Sequence, residues 1–176
     1  IVGYLGSKDA TPVLLDGLEK LEYRGYDSVG ISVLSKERII GQKTVSRLSV
    51  LREKLEKGPI KGHTGIGHTR WATHGRPSDR NAHPHYDCNQ EISVVHNGII
   101  ENYLELREEL QRKGHILVSE TDTEVIPHLI EEYYDCDLTS AVQKAISKLD
   151  GSFAFVAMTV KEPGKVVVAR QSSPLI

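Results

Sequence analysis

The placement of its short apolar runs constrains this chain most. Segments 1–5, 30–34, 38–43 and 65–69 stand in the first part of the sequence, and 92–96, 153–159 and 165–170 in the second. Each has strand length and is bounded by Gly, Pro or polar turn residues, such as Ser35-Lys36-Glu37 and Glu162-Pro163-Gly164. Between and beside them run helical stripes. Val13, Leu14, Gly17, Leu18 and Leu21 share one helical face, as do Val45, Leu48, Leu51 and Leu55 ahead of Gly58-Pro59. A helix is predicted over 101–112, closed by Gly114. Thr121-Asp122-Thr123-Glu124 has capping-box spacing ahead of a helix reaching about Tyr134, and Asp137 is placed to cap one over 138–149. Strands gather toward both ends and helices lie between. The expectation is an α+β domain spanning 1–176, with two sheets sandwiched by helices rather than a regularly alternating doubly wound fold.

Composition narrows the partners. The 176 residues carry 22 Lys+Arg against 24 Asp+Glu, for a net charge of -2. No block of Lys or Arg stands out, so no nucleic-acid partner is expected. No apolar run approaches the roughly 20 residues of a membrane helix, so no membrane partner is expected either. The two cysteines, Cys88 and Cys136, form neither a disulfide framework nor a C-x-x-C pair, which fits a cytoplasmic protein. The chain opens inside an apolar strand at Ile1 and stops at Ser173-Pro174-Leu175-Ile176 without a closing element. The natural termini are therefore expected elsewhere.

Residues 71–90 lack periodicity, hold the single Trp and several histidines, and read as a functional loop. Arg70, in Thr69-Arg70-Trp71-Ala72-Thr73-His74-Gly75, follows a strand and can grip a carboxylate bidentately, while Trp71 could roof a site. In His96-Asn97-Gly98, expected to break a strand, the Asn97 carboxamide and the Gly98 N–H can aim two donors at one point, the makeup of an oxyanion hole. The competing hairpin reading of Asn-Gly is opposed by its flank, because Ile99-Ile100-Glu101-Asn102 leads into a helix. Asp122, expected in the first turn of its helix, either caps it or meets an ammonium group. His83-Pro84-His85 with Cys88 falls short of a zinc ligand set, so these histidines are expected to hold the loop by hydrogen bonds, and no metal is expected. Tyr23, Tyr26, Tyr133 and Tyr134 are read as packing. An Arg for a carboxylate, an Asp for an ammonium and two donors for an oxyanion describe a pocket for an α-amino acid whose side-chain carbonyl is attacked. Neither cysteine is placed to serve as its nucleophile.

These strings also carry a resemblance. Ile1-Val2-Gly3-Tyr4, the 21–28 segment, His68 to Gly75, Asn81 to His85, Val95 to Asn102 and Ser119 to Glu124 resemble the glutaminase domains of the glucosamine-6-phosphate synthase family, within the class II glutamine amidotransferases. The resemblance implies an N-terminal-nucleophile hydrolase fold, a four-layer αββα sandwich. It implies hydrolysis of glutamine to glutamate and ammonia through a thioester on an N-terminal cysteine. That cysteine, in the family string Cys-Gly-Ile-Val-Gly, would stand two places before Ile1. It further implies that Arg70, Thr73 and His74 hold the α-carboxylate and Asp122 the α-ammonium. Asn97 and Gly98 form the oxyanion hole, Trp71 gates a passage for ammonia, and the loop of Arg24-Gly25 steadies the nucleophile's amine. No metal or organic cofactor is implied. The implied partners are glutamine or glutamate, a following sugar-isomerase domain of the same polypeptide, and a second copy in a homodimer. The alternatives are a module that binds glutamine or glutamate without a nucleophile, and an amidotransferase serving another acceptor.

Overall fold

Two four-stranded antiparallel sheets carry the chain. The first orders β1 (Val2–Leu5), β4 (Thr64–Arg70), β2 (Ser28–Ser35) and β3 (Arg38–Thr44); the second orders β5 (His85–Tyr86), β6 (Ile92–Ile100), β7 (Gly151–Thr159) and β8 (Val166–Gln171). Helices α1 (Ala10–Glu19) and α2 (Leu48–Lys57) cover the first sheet, and α3 (Tyr103–Arg112), α4 (Val125–Tyr133) and α5 (Leu138–Ile146) belong to the second. This computed structural model describes residues 1–24, 27–71 and 75–174.

Three apolar layers make the sandwich. Leu14, Leu18 and Leu51 pack on Ile31 and Val33 outside the first sheet. Leu106, Ile126, Ile130 and Val142 pack on Phe153 and Phe155 outside the second. Between the sheets, Leu34, Ile39 and Ile66 meet Val95, Val156 and Met158. Buried hydroxyls join this middle layer, with Ser32 Oγ 2.9 Å from both Ser93 Oγ and Tyr86 Oη. The four-layer αββα expectation is met. Gly65 lets α1 lie close to β4, since a Cβ there would come within 2.8 Å of Leu14 Cδ1.

Most elements form where periodicity placed them, and the differences have local causes. β1 is half-exposed, because it is the edge strand and only its Val2–Tyr4 face meets the α1 side of the sheet. Val45 stands outside α2 and 40% exposed. Tyr23, at 79% exposure, packs against little, whereas Tyr133 and Tyr134 do pack on the core of the second sheet; Tyr26 lies outside the described residues. Asp137 caps α5 as expected, accepting from the Thr139 and Ser140 amides.

Two departures shape the site. β6 does not break at Asn97-Gly98 but stays paired with β7 through Ile100, opposite Gly151. It can do so because Gly98 adopts φ 138°, where a side chain would put its Cβ 2.1 Å from the Ser152 carbonyl oxygen. The capping box ahead of α4 does not form. Glu124 instead turns back, 2% exposed, to accept from the amides of Val118 and Ser119 at 2.9 and 2.6 Å, with Arg107 3.9 Å away. It fastens the 118–119 segment rather than the helix start. Glu124→Ala strips a charged acceptor from two amides, and is expected to cost about 1–3 kcal/mol. A thermal unfolding midpoint indistinguishable from wild type would contradict that role.

Candidate active site

The ends of β4 and β6 lie on facing sheets and open into one cavity of about 260 Å³. Its walls are His68, Arg70 and Trp71 from β4 and its exit, His83 from the loop before β5, and His96 to Ile99 from β6. Asp122 and Thr123, from the segment leading into α4, complete the lining. Arg70, Trp71, Asn97, Gly98 and Asp122, which the sequence singled out separately, thus share a single pocket. Thr73, His74 and the side chain of Arg24 lie outside the described residues.

Each side chain has a local reason for its place. Arg70 ends β4, buried, and donates from Nη2 to the Gly75 carbonyl oxygen at 3.3 Å. Burial pulls its pKa below the usual arginine value, opposed by the charges of Asp122 and Asp27, and it remains a cation at neutral pH. Asp122 is 3% exposed and accepts the Ile100 amide at 2.9 Å. It stands three residues before α4 and is tied to β6, so it is not the first-turn residue that spacing suggested. Trp71 stands at the rim with 61% of its surface exposed. Asn97 is exposed within the cavity, and Gly98 follows it.

The histidines form the wall that the sequence did not resolve. His68 stacks on His83 with ring centroids 4.4 Å apart, and His83 meets His85 edge-on at 4.8 Å. His83 Nδ1 accepts the His96 amide at 3.3 Å, His96 Nδ1 pairs with Thr123 Oγ1 at 2.9 Å, and His85 Nε2 pairs with Thr121 Oγ1 at 3.2 Å. His83 and His85 therefore hold the loop by hydrogen bonds, as expected. Lys43 adds to this by donating to the carbonyls of Ala82 and Pro84 at 2.7 and 3.1 Å. Strand alternation could have found His68, two residues before Arg70 on the same face of β4. His83 is brought in only by the return of an irregular loop, which no periodicity reports.

The cavity wall is kept neutral around its two charges. Burial pushes His68 and His83, and His85 edge-on to His83, well below the usual histidine value, and His96 to about 4, opposed there by Asp122. His68 Nδ1 and His96 Nε2 are buried without a hydrogen-bond partner among the described residues, an arrangement that a neutral ring tolerates and a cation does not. A cation at Arg70, an anion at Asp122 and amide donors at Asn97–Gly98 suit a zwitterion carrying a polar carbonyl. Neither cysteine lines the cavity.

Neutral buried histidines set the acid response. With folded values below the unfolded one, their stabilising contribution is complete above about pH 6.5 and is lost as pH falls toward the folded values. Each proton taken up only on unfolding makes stability fall by about 1.4 kcal/mol per pH unit. Unfolding measured between pH 6.5 and 4.5 is expected to take up more than one proton, and His96→Gln to make the dependence shallower. A profile flat across that range would contradict the neutral wall.

Comparison with known proteins places the chain in a family. A family model described as a glutamine amidotransferase domain matches residues 68–175. The chain is 57% identical over all 176 residues to a glutamine–fructose-6-phosphate aminotransferase [isomerizing] of Clostridium tetani, covering 29% of that protein. It is 52% identical over its whole length to the protein of the same name from Thermus thermophilus, again covering 29%. The chain thus spans about three tenths of the length of these curated relatives. Among solved structures, a B. subtilis glutamine phosphoribosylpyrophosphate amidotransferase complexed with ADP and GMP superposes with a TM-score of 0.77 at 28% identity, over 90% of this chain and 34% of that one. A structure described as the allosteric regulatory enzyme of purine biosynthesis gives 0.81 at 28% identity, over 96% and 36%.

Proposed function

The chain belongs to the glutamine amidotransferase domain family and has the αββα fold of the N-terminal-nucleophile amidotransferases, and from that premise we propose that its pocket hydrolyses glutamine to glutamate and ammonia. The observation that carries the proposal is the meeting of Arg70, Asp122 and Asn97–Gly98 in one cavity. Arg70 receives the α-carboxylate of glutamine, joined by Thr73 and His74, and Asp122 receives the α-ammonium. With both ends of the amino acid held, the side-chain amide carbonyl points to Asn97 and Gly98, whose N–H groups stabilise the oxyanion of the tetrahedral intermediate.

The nucleophile in this proposal is the thiol of an amino-terminal cysteine two places before Ile1, and strand register supports it. β1 pairs antiparallel with β4, Val2 opposite Gly67, so two further residues in the same register would stand beside Thr69 and Arg70. A terminal α-amine, with a pKa of about 7.7–8.0, can take the thiol proton at neutral pH. The thiolate attacks the amide carbon, the amine returns the proton to the departing nitrogen, and ammonia leaves a thioester. Water cleaves that thioester to glutamate and regenerates the thiol. The loop of Arg24 steadies the amine, and Trp71 at the rim shields the site and gates the exit of ammonia. In the complete cytoplasmic protein, a homodimer, that ammonia passes to a following sugar-isomerase domain for conversion of fructose 6-phosphate to glucosamine 6-phosphate. The names of the long relatives support fructose 6-phosphate as the acceptor. No helix among the described residues is long and apolar enough to cross a membrane.

Glutamate release by the complete protein tests the assignment. Asn97→Ala is expected to lower kcat by about 10²–10³ with KM nearly unchanged, because the lost donor acts on the developing oxyanion. Arg70→Ala and Asp122→Ala are expected to raise KM for glutamine strongly. Glutamine bound by wild type but not hydrolysed would favour a binding module instead. Unaltered glutamine kinetics in all three variants would remove the pocket assignment.

A further inference from the structure

A second cluster of chemistry-bearing side chains lies outside the cavity. Cys88 sits in the turn after β5, His115 just beyond the Gly114 cap of α3, and His128 and Glu131 one turn apart on α4. Their ligand atoms converge. Cys88 Sγ is 3.5 Å from both His115 Nδ1 and His128 Nδ1, the two Nδ1 atoms are 3.3 Å apart, and Glu131 Oε2 is 3.0 Å from one and 3.4 Å from the other. All four atoms lie within 4.8 Å of one another.

Hydrogen bonding accounts for only some of these approaches. His115 Nδ1 faces a sulfur, a nitrogen and a carboxylate oxygen at once, and a neutral imidazole nitrogen has at most one proton to direct at them. A tetrahedral centre accounts for the arrangement. Zinc–nitrogen and zinc–oxygen distances near 2.0–2.2 Å and zinc–sulfur near 2.3 Å imply ligand–ligand edges of about 3.3–3.4 Å for N···N and N···O, and about 3.5–3.6 Å for S···N. Of the six edges, four fall within about 0.1 Å of those ranges, the His115–Glu131 edge at 3.0 Å is a short N···O edge, and the Cys88–Glu131 edge lies within 4.8 Å and shortens when an ion is bound.

We infer that Cys88, His115, His128 and Glu131 form a zinc site, a closed set of four protein ligands whose role is structural. Thiolate, two imidazoles and a carboxylate suit zinc, and binding releases the thiol proton to solvent. The surroundings already orient the ligands. His115 Nε2 lies 3.1 Å from Glu132 Oε2, so a carboxylate can hold the ring with Nδ1 turned inward. Glu131 accepts from the Cys88 amide at 3.2 Å and from Asn89 Nδ2 at 3.4 Å. The ion joins three segments that share no strand or helix: the β5–β6 turn, the α3–α4 connection and α4 itself. α4 begins three residues after Asp122, so the site braces one wall of the cavity from outside, and none of its four ligands lines the cavity.

Elemental analysis of the complete protein, purified without chelators from zinc-supplemented cells, tests this directly. About one zinc per chain is expected for a single four-ligand site. Cys88→Ser and Glu131→Gln are expected to lose most of it, with circular dichroism reporting whether each variant is folded. Cobalt(II) exchanged into the wild type keeps the test independent of the variants, since a tetrahedral thiolate site gives intense visible bands and sulfur-to-cobalt charge transfer. Glu132→Gln, which removes no ligand, is expected to weaken zinc affinity about 10–100-fold. Zinc-free wild type that takes up no zinc from a chromophoric chelator and shows no tetrahedral cobalt spectrum overturns the site. So does full zinc retention in folded Cys88→Ser.

Discussion

Everything at the cavity depends on how the two sheets meet. Leu34, Ile39 and Ile66 face Val95, Val156 and Met158 across the middle layer, and the Ser32–Ser93 hydroxyl contact is buried inside it. Interiors of this density leave little room for sliding, so β4 and β6 are held in fixed relation. Their ends deliver Arg70 and Asn97–Gly98 to one place. Gly98 is part of the same constraint: its φ of 138° keeps β6 paired with β7 right through the donor residues. The donors are consequently mounted on a strand, where rotation is limited, and not on a turn.

Charge distribution in the cavity follows from burial. Arg70 and Asp122 stay within electrostatic reach of each other, while the histidines around them are driven neutral. A neutral wall does not compete with Arg70 for a carboxylate or with Asp122 for an ammonium. In a site partly withdrawn from water, those two charges act more strongly than on a surface. In the proposed function the pocket discriminates by fixing both ends of an amino acid, leaving the amide to the Asn97–Gly98 donors.

Much of this was legible from residue order alone. The β2–β3 hairpin around Ser35-Lys36-Glu37 follows from alternation and turn chemistry, and Asp137 announces α5 by its side chain. Arg70, Trp71, Asn97, Gly98 and Asp122 could each be picked out by chemical type and position beside a predicted element. What was hidden is long-range. Glu124 satisfies local spacing for a cap yet bonds two amides behind it, those of Val118 and the buried Ser119. Asn97-Gly98 reads locally as a strand end, whereas pairing with Ala154 and Phe153 carries the strand onward. Cys88 found no partners near His83 and His85; those it meets lie 27 and 40 residues further along the chain, so only the fold reveals the set.

The claim at the centre is that one cavity holds both ends of a free amino acid and presents its side chain to the Asn97–Gly98 donors. A crystal structure of the complete protein with glutamate bound measures that orientation directly. The α-carboxylate is expected against Arg70, the α-ammonium against Asp122, and a side-chain carboxylate oxygen within hydrogen-bond distance, about 2.7–3.1 Å, of the Asn97–Gly98 donors. Glutamate lying the other way round, or occupying a different cavity, would contradict the account.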